Sequence, residues 1–427
     1  MTTPMPRSAT TRATDAEAAG PAPAAHPATP VAFSLFEDDN ARRFYAAMGL
    51  GARVRFRHAK RACVLMIVTY LPIALLAILQ GLYDTVATPT NFFADFAAYA
   101  QFLVALPLYI VAEPVIDAST RDAAKQFLAC GIVRPADAPK VAEIHAAIAR
   151  ARAARWPDLA CIGLAYLFSL VILVPQFGAD PLPTWHVQGD ANARRMTAAG
   201  VWAFFVSIPL LNYIWLRLIC KILLWIYYLY RITRLHLELH PMHADVTGGI
   251  GFISETQGRF ALFILAYGIG NVAAPVGYQV SVLNYDLSIL PVWGPLVLFG
   301  LGAPALFTLP LLMFTKQLHR SKKRALAAYR ERVTEQSRRV EEHWLYRERP
   351  ESPEQDARAL SELATLTSIF SRIERMRVVP FDLRSFGQLV GSSLGAIATL
   401  LPLLYGKGEL APIVEAIGRL VGHAAGD

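Results

Sequence analysis

Charge is scarce in this chain. Only 17% of its 427 residues are Asp, Glu, Lys or Arg, against 54% apolar, and the mean hydropathy is +0.36. That balance excludes a soluble globular protein, and several apolar runs of spanning length point to a polytopic membrane protein. Cysteine is scarcer still. Cys63, Cys130, Cys161 and Cys220 stand in apolar segments or a basic loop with no CxxC among them, so they read as small buried hydrophobes. The first 35 residues lack any apolar run. Rich in Ala, Pro and Thr, they can neither build a core nor act as a signal peptide, and a disordered cytoplasmic tail is expected there. The net charge of +8 could suggest nucleic acid, but in a membrane chain Lys and Arg mark the cytoplasmic side. The expected surroundings are a lipid bilayer, with no nucleic acid.

What is present is a series of seven apolar stretches, at about 62–82, 96–116, 158–177, 198–230, 260–280, 290–314 and 389–405. Each approaches the ~20 residues that cross a bilayer core. The fold class is therefore all-α, a polytopic transmembrane bundle of about seven spans with cytoplasmic amphipathic helices. The organisation reads as a tail (1–35), a six-span region (36–315) with a cytoplasmic insert (117–157), a cytoplasmic helical region (316–384), and a last span with its tail (385–427). Of the 41 Lys and Arg, 35 fall on the proposed inside and 4 outside, while Arg217 and Lys221 lie within the fourth span. The positive-inside rule then places the N-terminus in the cytoplasm. Pro114, after Glu113, favours a kink or helix end. In the insert, Val141, Ile144, Ile148 and Ala151 share one helical face. Two helices are expected at about 316–346 and 353–376, the second capped by Ser352, Pro353 and Gln355, with Leu360, Leu363, Leu366, Phe370 and Ile373 on one face.

Chemistry concentrates between Asn212 and Phe252. Arg217 and Lys221, four residues apart, share a face of the fourth helix. Ionisable groups within spans face a bundle interior or cavity, so the pair forms a cationic patch on an anion path, with Glu113 or Asp117 as counter-charge. The alternative is that both side chains snorkel to the inner headgroups. The turn that follows, HLELHPMHAD, puts His236, His240, His243 and Asp245 at spacings that could converge on a divalent metal, or that could simply cap a helix end. Gly248, Gly249 and Gly251 come next; they permit positive φ and suit a mobile loop or gate, but with no Lys-Ser/Thr ending they are no phosphate loop. The fifth and sixth spans carry many Gly and Pro, which mark either discontinuous helices lining a path or small-residue packing faces.

The run LELHPMHADVTGGIGF, the basic aromatic helix before it and the later VVPFDLRSF resemble an HPxHxDxxGGxGF-type group of uncharacterised bacterial multi-pass inner-membrane proteins. The resemblance implies a bacterial inner membrane and a several-span helical bundle, and carries no activity with it. The residues themselves favour a transporter or channel-like protein for a small anionic solute, with Arg217, Lys221 and Glu113 on the path and the glycine loop at its inner mouth. A metal-dependent membrane enzyme using the His/Asp cluster is the second reading. The third is a signalling or scaffold protein whose 316–376 helices bind a partner or a second copy of the chain.

Overall fold

The computed structural model describes residues 33–36, 57–83, 88–177, 184–189, 193–283, 285, 290–346 and 353–406. It is 80% helical with almost no strand. Seven helices are long and apolar enough to cross a membrane, which is compatible with an integral membrane protein. In chain order the helices are α1 (Arg57–Leu79), α2 (Phe96–Ala129), α3 (Ala138–Ala153), α4 (Trp156–Leu173), α5 (Ala198–Ile232) and α6 (Gly251–Ser281). There follow α7 (Leu290–Thr308), continued through a 3-10 turn into α8 (Thr315–Tyr346), then α9 (Pro353–Glu374) and α10 (Leu383–Ala398). The two short strands, β1 (Val187–Gln188) and β2 (Arg195–Met196), pair antiparallel between α4 and α5.

Position in the bundle follows burial. The apolar windows of α5 and α6 are 61% and 67% buried, whereas that of α4 is 22% buried. α5 and α6 therefore form the centre, and α4 turns most of its apolar surface outward. Small residues allow the close approach around α6: a Cβ on Gly268 would lie 2.5 Å from Ala396 and Phe299, and one on Gly277 would lie 2.7 Å from Phe96. Helices meet there because no side chain intervenes. The glycines of α7 have looser surroundings, with nothing nearer than 3.3 Å.

Several expectations change in detail. α2 does not stop at Pro114 but runs on to Ala129. An interior proline costs about 3 kcal/mol, and the buried stripe of Ile116, Ala123, Ala124 and Phe127 offsets that cost by packing the continuation onto the bundle. α5 spans 35 residues, roughly 52 Å at 1.5 Å per residue, so it outreaches a core of about 30 Å. On α3, Val141, Ile144 and Ile148 face inward as expected, His145 joins them, and Ala151 is exposed. Among the described side chains of α9 only Ile373 is fully buried, while Leu360 is 42% exposed on the hairpin with α8. Of the cysteines, Cys63 and Cys130 are exposed; Cys161 and Cys220 meet across α4 and α5 with sulfurs 3.5 Å apart. The Ser352 cap and the tail 407–427 lie outside the described residues, as do residues 1–32.

The part of the expected tail that is described is packed in. Phe33 sits among His145, Trp225 and Tyr228, the last at a ring separation of 4.7 Å. Ser34 Oγ and the Leu35 N–H donate to Asp117 Oδ1 at 2.9 and 3.0 Å, and Arg152 donates to the Ser34 carbonyl. This strap, the α3 insert, the turn after α5 and the α8–α9 hairpin gather at one end of the bundle, here called the basic end. The β1–β2 loop closes the other.

Candidate functional site

Arg217 and Lys221 project from α5 into the bundle, each 5% exposed. Arg217 Nη2 lies 3.5 Å from Glu113 Oε1 on α2. Glu113 is thus the counter-charge, and the snorkelling alternative fails because neither cation lies at the surface. Asp117, the other candidate, is occupied elsewhere: it pairs with Arg121 one turn on and accepts the strap. Its distance along α2 from Glu113 explains the division of labour, since one carboxylate faces α5 and the next turn faces the strap.

Two cavities lie along the bundle, and of Arg217, Lys221 and Glu113 the last alone lines one of them. At the basic end, about 380 Å³ is lined by Glu113 and Asp117 together with His58, Arg61, Arg121 and Lys125, and Phe36 of the strap forms part of its wall. Toward the opposite end lies a cavity of about 510 Å³ between α2, α4, α5 and α6. Along α2 its lining ends at Phe102, eleven residues before Glu113, which is about 16 Å of helix. Asn271, in the wall of the larger cavity, donates through Nδ2 to Tyr109 Oη at 2.7 Å.

The larger cavity was only half visible in the sequence. Gly270, Asn271 and Pro275, three of the breakers in α6, do line it, but the breakers of α7 do not. Its unforeseen feature is that α2, α5 and α6 each wind into a π-helical turn beside it, at Ala100–Ala105, Ala203–Ser207 and Gly268–Ala273. Such turns widen the helix and recur at functional sites. No local composition rule encodes them.

The β1–β2 loop roofs this cavity. Trp185 Nε1 donates to Asp95 Oδ2 at 2.9 Å, while Asp95 Oδ1 caps α2 by accepting from the Ala97 N–H at 2.8 Å. Burial pushes the Asp95 carboxyl up to about 6, against these donors and that of Ala98. His186 stacks on Trp185 at 3.6 Å, and its carbonyl would lie 2.3 Å from any Cβ at Gly200, so only glycine lets the loop dock on the start of α5. Burial lowers the His186 imidazole to about 3, which keeps it neutral, and its Nδ1 has no hydrogen-bond partner. In the sequence the Trp-His pair stood inside a turn-rich loop with nothing to distinguish it.

The His/Asp turn does not assemble as a metal centre. Among the described residues no three His, Cys, Asp or Glu side chains are grouped to hold a metal ion, so His236 and His240 do not join the pair that forms, His243 Nδ1 to Asp245 Oδ1 at 2.9 Å. Asp245 serves the backbone instead. Its oxygens accept N–H bonds from Thr247 (2.9 Å), Gly249 (3.1 Å) and Gly251 (2.9 Å). Burial raises this carboxyl, but the donors from Thr247, Gly251 and Gly249 prevail and hold it at about 2.

The glycines fit this pinned turn better than a mobile gate. Gly248 and Gly249 take φ of +71° and +92°, a region open to glycine, and Gly248 abuts Met376 and Leu318. Neighbouring segments dock on the turn through Arg377 N–H to the Val246 carbonyl (2.7 Å), Glu238 N–H to the Ile132 carbonyl (2.8 Å) and Gln317 to the Thr233 carbonyl (2.6 Å). The VVPFDLRSF stretch meets the GGIGF helix through Asp382 N–H to Ser254 Oγ at 3.0 Å. The two motifs far apart in sequence are one junction in space.

No family model, curated protein or solved structure matches the chain. What can be said of its activity rests on the geometry above.

Proposed function

We propose that this chain is a multi-pass membrane transporter for a small anionic solute, which passes by way of Arg217 and Lys221. The carrying observation is the buried Arg217–Glu113 pair, at 3.5 Å, whose carboxylate lines the polar cavity at the basic end. A carboxylate solute arriving at Arg217 replaces Glu113 as its partner, so the guanidinium is never left without a counter-ion. Glu113, released from Arg217, is received by the polar cavity that it lines with Arg61, Arg121 and Lys125, so neither charge bears the several kcal/mol that an unpaired buried charge costs. Lys221, one turn along α5, extends the cationic face in the basic direction.

The basic end faces the cytoplasm in this proposal, by the positive-inside rule, and the bilayer is a bacterial inner membrane. The test is solute flux in proteoliposomes of the full chain. Replacing Arg217 and Lys221 together by alanine abolishes anion flux, and Glu113→Gln alters its rate while preserving folding. Undiminished flux in the double variant refutes the role given to these cations. The enzyme alternative has lost its metal geometry, and no observation favours it over transport.

A further inference from the structure

We propose that the cavity under the β1–β2 loop is a binding site for an uncharged aromatic molecule that carries a hydroxyl group, a phenol or an aromatic alcohol of one or two rings. The site is separate from Arg217 and Lys221, neither of which lines that cavity.

The wall carries no lysine or arginine, and its one acidic side chain, Asp95, has both oxygens engaged by the Ala97 N–H and by Trp185. A charged guest would find no partner there and would bear the cost of an unpaired buried charge, so the cavity selects a neutral one. Ring surface is plentiful. Phe168 stacks on Trp215 at 5.8 Å, and Tyr267 meets Trp215 edge to face at 5.4 Å. Phe102 and Phe204 stand in the same wall, around a volume of about 510 Å³. An aromatic guest gains on such a surface beyond the area it buries.

Two acceptors of the wall call for the hydroxyl. As the π-helical turn of α6 closes, the Ala274 N–H bonds to the Ile269 carbonyl, and Pro275 has no N–H to offer. The Gly270 carbonyl is therefore left for Gln101 Nε2, which donates to it at 3.2 Å from the π-helical turn of α2. Asn271 spends its Nδ2 on Tyr109. Both amides thus direct their N–H groups at the protein, while Gln101 Oε1 and Asn271 Oδ1 accept no hydrogen bond from any described residue. Both side chains line the cavity. Polar atoms in such surroundings are seldom left unpaired, and what these two lack is a donor, which a hydroxyl supplies. The cavity also reaches the outer surface of the bundle: Val171 and Ile172 of α4 line it and are 60% and 50% exposed. An uncharged aromatic alcohol dissolves in the bilayer, and this flank admits it from there.

The test uses the full chain in detergent, with probes compared at equal concentration in the micelle phase. Trp185 and Trp215 line the cavity, so intrinsic fluorescence reports binding directly. 2-Phenylethanol is expected to titrate saturably. n-Propylbenzene lacks the hydroxyl and 2-cyclohexylethanol lacks the aromatic ring, and each is expected to bind roughly threefold to tenfold more weakly; phenylacetate, being charged, is expected to be weaker by about tenfold or more. Gln101→Met with Asn271→Leu removes both acceptors and is expected to abolish the preference for 2-phenylethanol over n-propylbenzene. Phe204→Leu removes a ring and leaves the acceptors; it is expected to weaken both probes alike and keep that preference, so the site remains testable if the double variant does not fold. Equal binding of any of the three comparison probes, a preference that survives in the folded double variant, or parental binding in Phe204→Leu overturns the inference. Absence of saturable binding overturns it as well, and leaves the cavity to water or a lipid chain. Anion flux enters none of these measurements, so the site and the transport reading stand or fall apart from each other.

Discussion

Replacing Asp245 by alanine removes three backbone acceptors at once, those of Thr247, Gly249 and Gly251. Hydrogen bonds to a charged group are worth about 1.5–3 kcal/mol each in favourable surroundings. The carboxylate is 21% exposed, and water competes for it, so roughly 1 kcal/mol per bond and about 2–3 kcal/mol in all is the expected loss. Ala at this position also frees a turn in which Val246, Gly248 and Gly249 all hold positive φ, a conformation that persists only where its surroundings over-determine it.

The pH dependence gives an independent check. The folded carboxyl sits at about 2 against an ordinary 3.8. A depressed folded value means the stabilisation is present above 3.8 and is lost as the pH falls through that value toward about 2. The difference in melting temperature between the parent and Asp245→Ala, followed by tryptophan fluorescence in detergent, should therefore narrow over that window. His243→Ala is the control: its side chain is 48% exposed, and loss of one exposed ion pair costs less than about 1 kcal/mol. If His243→Ala, or a chelator added to the parent, destabilises as much as Asp245→Ala, the turn is a metal site after all and the reasoning given for it is wrong.

Two further outcomes follow from the packing. A methyl at Gly268 meets Ala396 and Phe299 at 2.5 Å, so Gly268→Ala should cost roughly 1–3 kcal/mol by overpacking, read as a lowered melting temperature; an unchanged melt would mean that α6 and α10 do not touch there. Asp117→Ala removes the acceptor of Ser34 and Leu35, and hydrogen exchange at the Leu35 amide should quicken about tenfold or more, as loss of a bond to a charged acceptor implies; an unchanged rate would show that Phe33 in its aromatic nest holds the strap alone.

The membrane-spanning pattern was legible because it is local. Twenty apolar residues announce a span wherever they pack, and Pro353 announces the start of α9 by its fixed φ and missing donor. The glycine turn was legible as a turn and illegible as a hub, since what pins it comes from Ile132, Gln317 and Arg377, all more than sixty residues away in the chain. The same limit hid the larger cavity. π-helical turns arise where neighbouring helices and a roofing loop reward an extra residue per turn, and Trp185, His186 and Asp95 become a site only when the loop folds back over α2. Glu113 and Asp117 looked equivalent in sequence, one turn apart, and only the docking of residues 33–36 separates their roles.

The buried charges bear on function most directly. For folding alone, an apolar trio of similar volume in place of Glu113, Arg217 and Lys221 would serve at least as well, because desolvation consumes most of what a buried ion pair gains. Two cations one turn apart on a central helix add mutual repulsion. The 3.5 Å separation of Arg217 and Glu113 is longer than the 2.7–2.9 Å of a strong charged hydrogen bond. If Arg217 and Glu113 were replaced together by leucine, the expected result under the proposed function is a chain that melts no lower than the parent and carries no anion; a large loss of stability in that variant would mean the pair is structural.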